Sequence, residues 1–244
     1  MDNNNAFGRC LTYLDSQSKI GHGFVEVHDS PRMAVAVARQ TGSGAIRIAE
    51  KLAGYLQARL PAEERPWTVF DKNLINQVLE DHHLPARLAR FLPEDRVSYI
   101  NDMVDEILGL HPPSWVVVRQ STETILRLAE LGNVILVGRG ANAITSRLPN
   151  VLRVHLVGSL ERRVARVQAR DHLNRAEAVD FIRRQDRGRA RYVKTYFHRD
   201  VSDALLYDLT INTDHLSEDE VVRLMGDAVL LRKNLADREL EHAA

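Results

Sequence analysis

The sequence predicts an α/β protein, a parallel sheet covered by helices on both faces. Three observations point there. Short continuous apolar runs such as Met33–Ala38 (MAVAVA) and Val134–Val137 (VILV) have the character of strands buried on both sides. Stretches with apolar residues at helical spacing alternate with these runs. Glycine turns or charged residues follow several of the runs, where ligands of such sheets sit.

Residues 1–30 read as an N-terminal extension. Phe7, Leu11 and Leu14 fall at i, i+4 and i+7, a short amphipathic helix that Gly21-His22-Gly23 ends. This piece could pack on the main domain or join a second subunit in a homo-oligomer. The main domain, residues 31–244, opens with the strand Met33–Ala38 and a Gly-Ser-Gly turn at 42–44. Ile46, Ala49, Leu52, Ala53, Leu56 and Leu60 then mark a helix. Trp67–Phe70 is a second strand, ending at Asp71-Lys72. Residues 72–131 are largely helical, interrupted near Pro85, Pro93 and Pro112-Pro113. Val134–Val137 is the third strand and Val151–Val157 the fourth. Ser159 caps the helix that follows. Asn174 and Glu177 form a capping box for a helix reaching about Tyr192. Leu209–Asn212 is the fifth strand, and Ser217 with Glu220 caps a long C-terminal helix.

Composition narrows the function classes. Among 244 residues, 33 Lys and Arg balance 33 Asp and Glu, which argues against a general polyanion binder or a membrane-surface protein. The 44% of hydrophobic residues suffice for a core. The single cysteine, Cys10, excludes a disulfide framework or a cysteine-cluster metal site. The ten histidines show no ligand spacing, and no metal-binding residues are predicted. The N-terminus lacks an apolar signal region, and no run approaches the roughly 20 apolar residues of a membrane span, so a cytoplasmic location is expected.

The charge is balanced in total but not locally. Residues 161–199 hold eleven arginines and Lys194 against five acids, a local excess of +7. Arg183, Arg187 and Arg191 share one helical face at i, i+4 and i+8. Arginines brought over a phosphoryl group stabilise the charge spread over its oxygens during transfer.

Three strand ends carry residues suited to phosphate. After the first strand come Arg39, Gln40, Thr41, Gly42, Ser43 and Gly44. Backbone N–H groups of a glycine-rich turn, with the helix N-terminus behind it, form a cradle for phosphate oxygens. The loop departs from GxxxxGK[ST]. Arg39 stands at the first glycine, and Ala45 and Ile46 replace the lysine and the hydroxyl. After the second strand, Asp71 could hold Mg2+ or orient an acceptor, and Lys72 could supply the missing cation. After the third, Arg139 between Gly138 and Gly140 could fork onto a phosphate.

Five segments together resemble the cytidylate kinase-like family, a divergent branch of the P-loop nucleoside monophosphate kinases. They are Arg39-Gln40-x-Gly42-Ser43-Gly44, Phe70-Asp71-Lys72-x-Leu74-Ile75 and Val137-Gly138-Arg139-Gly140-Ala141-Asn142, then Asp186-x-x-Arg189-Ala190-x-Tyr192 and Tyr207-Asp208-Leu209-x-Ile211-Asn212-Thr213. They run in order over roughly residues 33 to 225. The resemblance implies a three-layer P-loop kinase-like fold with a five-stranded parallel sheet and an arginine-rich helical lid at about 183–200. It implies ATP and Mg2+ as cofactors and a nucleotide or other small molecule as acceptor, CMP or dCMP by the family name. The donor would lie at 39–44 and the acceptor near Asp71, Lys72, Gly138, Arg139 and Asp186. Arg39, Asp71 and Arg139 would act in transfer, with Arg187, Arg189 or Arg191 supplied by the lid.

Two other functions are open at this point. Ala45 and Ile46 suit a non-catalytic nucleotide-binding regulatory protein that binds without turnover. The 161–199 arginines suit a nucleic-acid binder with steeply salt-dependent affinity, although few aromatics accompany them.

Overall fold

The structure is a computed structural model that describes residues 12–13, 32–59, 66–71, 92, 94–108 and 116–243. Five parallel strands run in the order β2-β3-β1-β4-β5: β1 (Ala34–Arg39), β2 (Thr68–Phe70), β3 (Val134–Val137), β4 (Val151–Val157) and β5 (Leu209–Asn212). Among the described residues seven α-helices accompany them: α1 (Ala45–Gln57), α2 (Glu94–Leu108), α3 (Val116–Leu131), α4 (Ala141–Ile144), α5 (Leu160–Asp171), α6 (Arg175–Phe197) and α7 (Glu218–Ala243). All five expected strands are present, displaced by at most one residue at an end. Lys72 and residues 73–91 of the expected helical stretch lie outside the described residues. So does the expected helix of the extension, except Thr12 and Tyr13.

The strands form because their residues are apolar and β-branched, and they pair in parallel because helical crossovers join them. Alternation along β1 sorts the two faces of the sheet. Val35 and Val37 join Ile135, Val137, Leu152, Val154 and Leu156 in a core against α1 and α7. Ala34 and Ala36 turn to the opposite face, with Val134, Leu136 and Val151, in a core against α2, α3 and α6. Tyr13 is fully buried in that second core. Its ring meets Phe70 edge-on at 5.7 Å and its hydroxyl donates to the Gly132 carbonyl at 2.8 Å. At least this residue of the extension therefore packs on the main domain.

The capping residues act as expected. Ser159 accepts from the Arg162 N–H, and the Asn174–Glu177 and Ser217–Glu220 boxes are both closed. The helix opened by Asn174 runs past Tyr192 to Phe197, a single rod of about 34 Å. It ends where His198 turns left-handed at φ 52°. The expected lid at 183–200 is thus mainly the second half of α6. Asp208 clamps the start of β5 to β4. It takes the Arg153 backbone N–H and side chain at 2.8 Å each, and Arg232 approaches it at 3.3 Å. Among the described residues, no helix is long and apolar enough to cross a membrane.

Candidate functional site

The strand ends and α6 enclose a cavity of about 600 Å³. The ends of β1 and β3 supply Arg39 and Arg139, and α6 supplies Asp186, Arg187 and Arg189. Four arginines from three elements therefore meet a single carboxylate in the cavity wall. A pocket so lined is short of negative charge, and an anion would supply it.

Two glycines shape the floor. Gly138 has φ 87°, and a Cβ there would collide with the Arg39 guanidinium. Arg39 can lie across the end of β3 only because that position is bare. Gly140, at φ 73°, is likewise filled by the ring of Phe197. Burial lowers the Arg39 pKa to about 10; Arg189 adds to the fall, while Asp71 and Asp186 oppose it. Arg39 is still charged at neutral pH, in a place that makes the charge costly. Asp71 sits at the end of β2, partly exposed, close enough to Arg39 to act on it.

The loop after β1 adopts the turn its glycines allow, with Gly42 at φ 85° and Gly44 at φ 86°. A Cβ on Gly42 would come within 2.6 Å of the Arg163 carbonyl oxygen, so the loop is pressed against α5. Ser43 is buried, and its hydroxyl has no hydrogen-bond partner among the described residues. Gln40 accepts from the Gly158 N–H at 3.0 Å, tying the loop to the end of β4. Ala45 is buried, and Ile46 extends outward at the start of α1.

Thr41 links the loop to α6. Its backbone N–H and its hydroxyl both donate to Asp186 Oδ1, at 2.8 and 2.7 Å. The other Asp186 oxygen pairs with Arg163 at 2.7 Å, and Arg189 holds both Asp186 Oδ1 and the Thr41 hydroxyl. Burial alone would raise the Asp186 pKa. The bonds from Thr41, Arg189 and Arg163 outweigh it and hold the carboxyl below its usual 3.8. Arg166 reaches the Gly42 carbonyl at 3.3 Å and the Thr213 hydroxyl at 3.0 Å.

The expected arginine face of α6 divides. Of Arg183, Arg187 and Arg191, Arg187 alone lines the cavity, and Arg189 from beside that face lines it too; Arg183 and Arg191 are exposed and off its wall. Part of the local positive excess is also structural, in Arg163–Asp186, Arg170–Asp171 and Arg175–Glu161. Lys72 lies outside the described residues. Among the described residues no group of three or more acids, histidines or cysteines is placed to hold a metal ion.

The cavity also has an uncharged end that the sequence reading missed. His155 of β4 stacks on Tyr207 with centroids 4.5 Å apart and planes 29° from parallel, and both line the wall. Burial lowers the His155 pKa, with Asp186 opposing, so the ring is neutral at pH 7. Burial, with Asp200 and Asp203, pushes the Tyr207 phenol up to about 12. The signal was present in β4, whose apolar run VLRVHLV is interrupted by Arg153 and His155 on one face.

Known proteins resemble this chain in sequence and in fold. The model of the Cytidylate kinase-like family matches residues 34–215. The cytidylate kinase of Pyrobaculum islandicum is 30% identical over 199 residues, covering 81% of this chain and 92% of that protein. That of Pyrobaculum aerophilum is 26% identical over 197 residues, covering 80% and 91%. That of Sulfurisphaera tokodaii is 32% identical over 86 residues, and this match spans about half of that protein, 48%. Among solved structures, an uncharacterized protein from Eubacterium ventriosum superposes with a TM-score of 0.62 at 21% identity, covering 81% of this chain and 98% of that one. This last likeness is one of fold.

Proposed function

We propose that this chain, which belongs to the cytidylate kinase-like family, is an ATP-dependent phosphotransferase acting on a nucleoside monophosphate. The observation that carries the reading is the convergence of Arg39, Arg139, Arg187 and Arg189 on one cavity at the carboxyl ends of the strands. In this reading Arg139 grips the acceptor phosphate bidentately, held by the turn that Gly138 and Gly140 permit. The loop Gln40–Gly44 and the N-terminus of α1 receive the donor phosphates. Arg39 supplies the positive charge that the loop lacks at Ala45. An acceptor phosphate oxygen attacks the γ-phosphorus, the bond to the β–γ bridging oxygen breaks, and ADP departs with that electron pair. Arg187 and Arg189 stabilise the charge on the transferring group. Asp186, anchored on Thr41, sets α6 at the height where those arginines reach the cavity.

The loop fits a nucleotide polyphosphate in one respect: the buried Ser43 hydroxyl has no hydrogen-bond partner among the described residues. Mg2+ would neutralise phosphate oxygens, with Asp71 as its protein carboxylate; one or two carboxylates plus phosphates and water are its usual set.

One observation favours a second reading. Ile46, 39% exposed, stands where a hydroxyl would hold the metal. That substitution suits a nucleotide-binding regulator without turnover. A screen with Mg·ATP and the common nucleoside monophosphates, measuring ADP release and phosphorylated product, decides between the two. Product that disappears in Arg139→Ala, with the circular dichroism spectrum intact, supports the kinase. ATP binding without product for any acceptor supports the regulator.

A further inference from the structure

We propose that His155 and Tyr207 form a preformed platform on which the heteroaromatic ring of the acceptor stacks, so that these two side chains set its preference among nucleobases. The inference rests on the phosphotransferase reading and concerns the opposite end of the same cavity. Sheet register sets the distances. Ala38 pairs with His155 across β1 and β4, and Val37 pairs with Val137, which puts Gly138 beside Ala38. His155 and Gly138 are thus two strand spacings apart, about 10 Å. Arg139 directly follows Gly138. On β1, between the cationic end and the aromatic end, stands Ala38, whose small side chain leaves space for a sugar.

The platform is fixed before any ligand arrives. The Tyr207 hydroxyl donates to the Val201 carbonyl at 2.9 Å, which locks its ring against His155. A rigid aromatic surface gives up little freedom on binding, so stacking on it is favourable. Three other polar groups nearby are committed. Asn142 donates to the Ala36 and Val154 carbonyls, Gln40 takes the Gly158 N–H, and the Ser202 hydroxyl donates to Asp200. Among the described residues the His155 ring nitrogens have no hydrogen-bond partner. A neutral imidazole offers one donor and one acceptor, the pattern that the edge of a nucleobase complements. Leu206 and Val201 complete a wall with no charge to attract a second phosphate.

The test is calorimetric titration of the full chain with CMP, AMP, ribose 5-phosphate and inorganic phosphate. A nucleoside monophosphate binds about tenfold tighter than ribose 5-phosphate, the gain expected of one stacked base. Tyr207→Leu and His155→Ala bring that ratio toward one and leave ribose 5-phosphate affinity within about twofold. His155→Phe keeps the stack but alters the order of preference between CMP and AMP. If either truncation loses the native circular dichroism spectrum, Tyr207→Phe and His155→Phe carry the test through ring preference alone. A ratio that survives both truncations, or an unchanged order in His155→Phe, overturns the proposal. A wild-type protein that binds ribose 5-phosphate as well as it binds CMP sinks the platform alone. One that binds none of the four phosphates sinks the phosphotransferase reading with it.

Discussion

On the face covered by α1 and α7, β1 presents Val35 and Val37; beneath α6 it presents Ala34, Ala36 and Ala38. The first face is filled. Large apolar side chains from four strands meet Ile48, Leu52 and Leu56 of α1 and Val221, Val222 and Met225 of α7. The second face is filled only toward the amino ends of the strands. At the carboxyl ends, Ala38 and Gly138 leave the floor bare, and arginines from three elements reach over it. The same strand thus serves two purposes by alternation. Large residues on one side hold the sheet, and small residues on the other make room for a ligand. Under the proposed function, stability belongs to the closed face and binding to the open one, so substitutions should separate the two properties.

The largest effect is expected on the closed face. Leu52 is fully buried there, and Leu52→Ala should cost about 3 kcal/mol of stability. Thermal unfolding would record a fall of about 10 °C, while nucleotide affinity measured well below the transition stays at the wild-type value. A parallel loss of affinity would break the division between the faces.

On the open face, Gly138→Ala forces Arg39 off the end of β3 and strains a left-handed position. ATP affinity should fall by tenfold or more, about 2 kcal/mol, as when a hydrogen bond to a charged group is lost. Titration calorimetry measures it, and unchanged affinity would remove Arg39 from the site.

Asp186→Asn weakens the tie between α6 and the loop after β1, at a cost on the order of 1 to 2 kcal/mol at neutral pH. Because the folded-state pKa is depressed, this stabilisation is present above the ordinary carboxyl value of 3.8 and is lost as pH falls below it. Denaturant unfolding of both proteins at pH 7 and at acid pH should show the difference between them shrinking on acidification. A constant difference would mean that the carboxylate charge is not what ties α6 to the loop.

The smallest effect is expected from Ala38→Val. It places on the open face the side chain that β1 uses on the closed one. Stability should change by less than about 1 kcal/mol, while monophosphate affinity drops severalfold because the floor is filled. Unchanged affinity would move the ligand away from Ala38.

The limits of legibility follow particular residues. Each strand was visible because its period and apolar character are local properties. Asn174 and Glu177 announced α6 for the same reason. Its end was misjudged because Tyr192, Val193 and Phe197 continue the helix by packing on α2, α4 and the Gly140 turn. Arg139 was legible as a charged residue between two glycines at a strand end. Arg163 was not, since its role depends on Thr41 and Asp186, which are 122 and 23 residues away. His155 and Tyr207 are 52 residues apart and meet only because β4 and β5 lie side by side.

The sequence by itself determined the parallel α/β architecture, the glycine turns and charged residues at the strand ends, and the concentration of arginine in residues 161–199. These depend on alternation, helical period and turn chemistry, each set within a few neighbouring residues. Tertiary structure decided which arginines serve the cavity and which fasten the fold, and it created the aromatic end. Those assignments depend on strand order and on the crossing of α6 over the sheet, which bring together side chains that no local pattern relates.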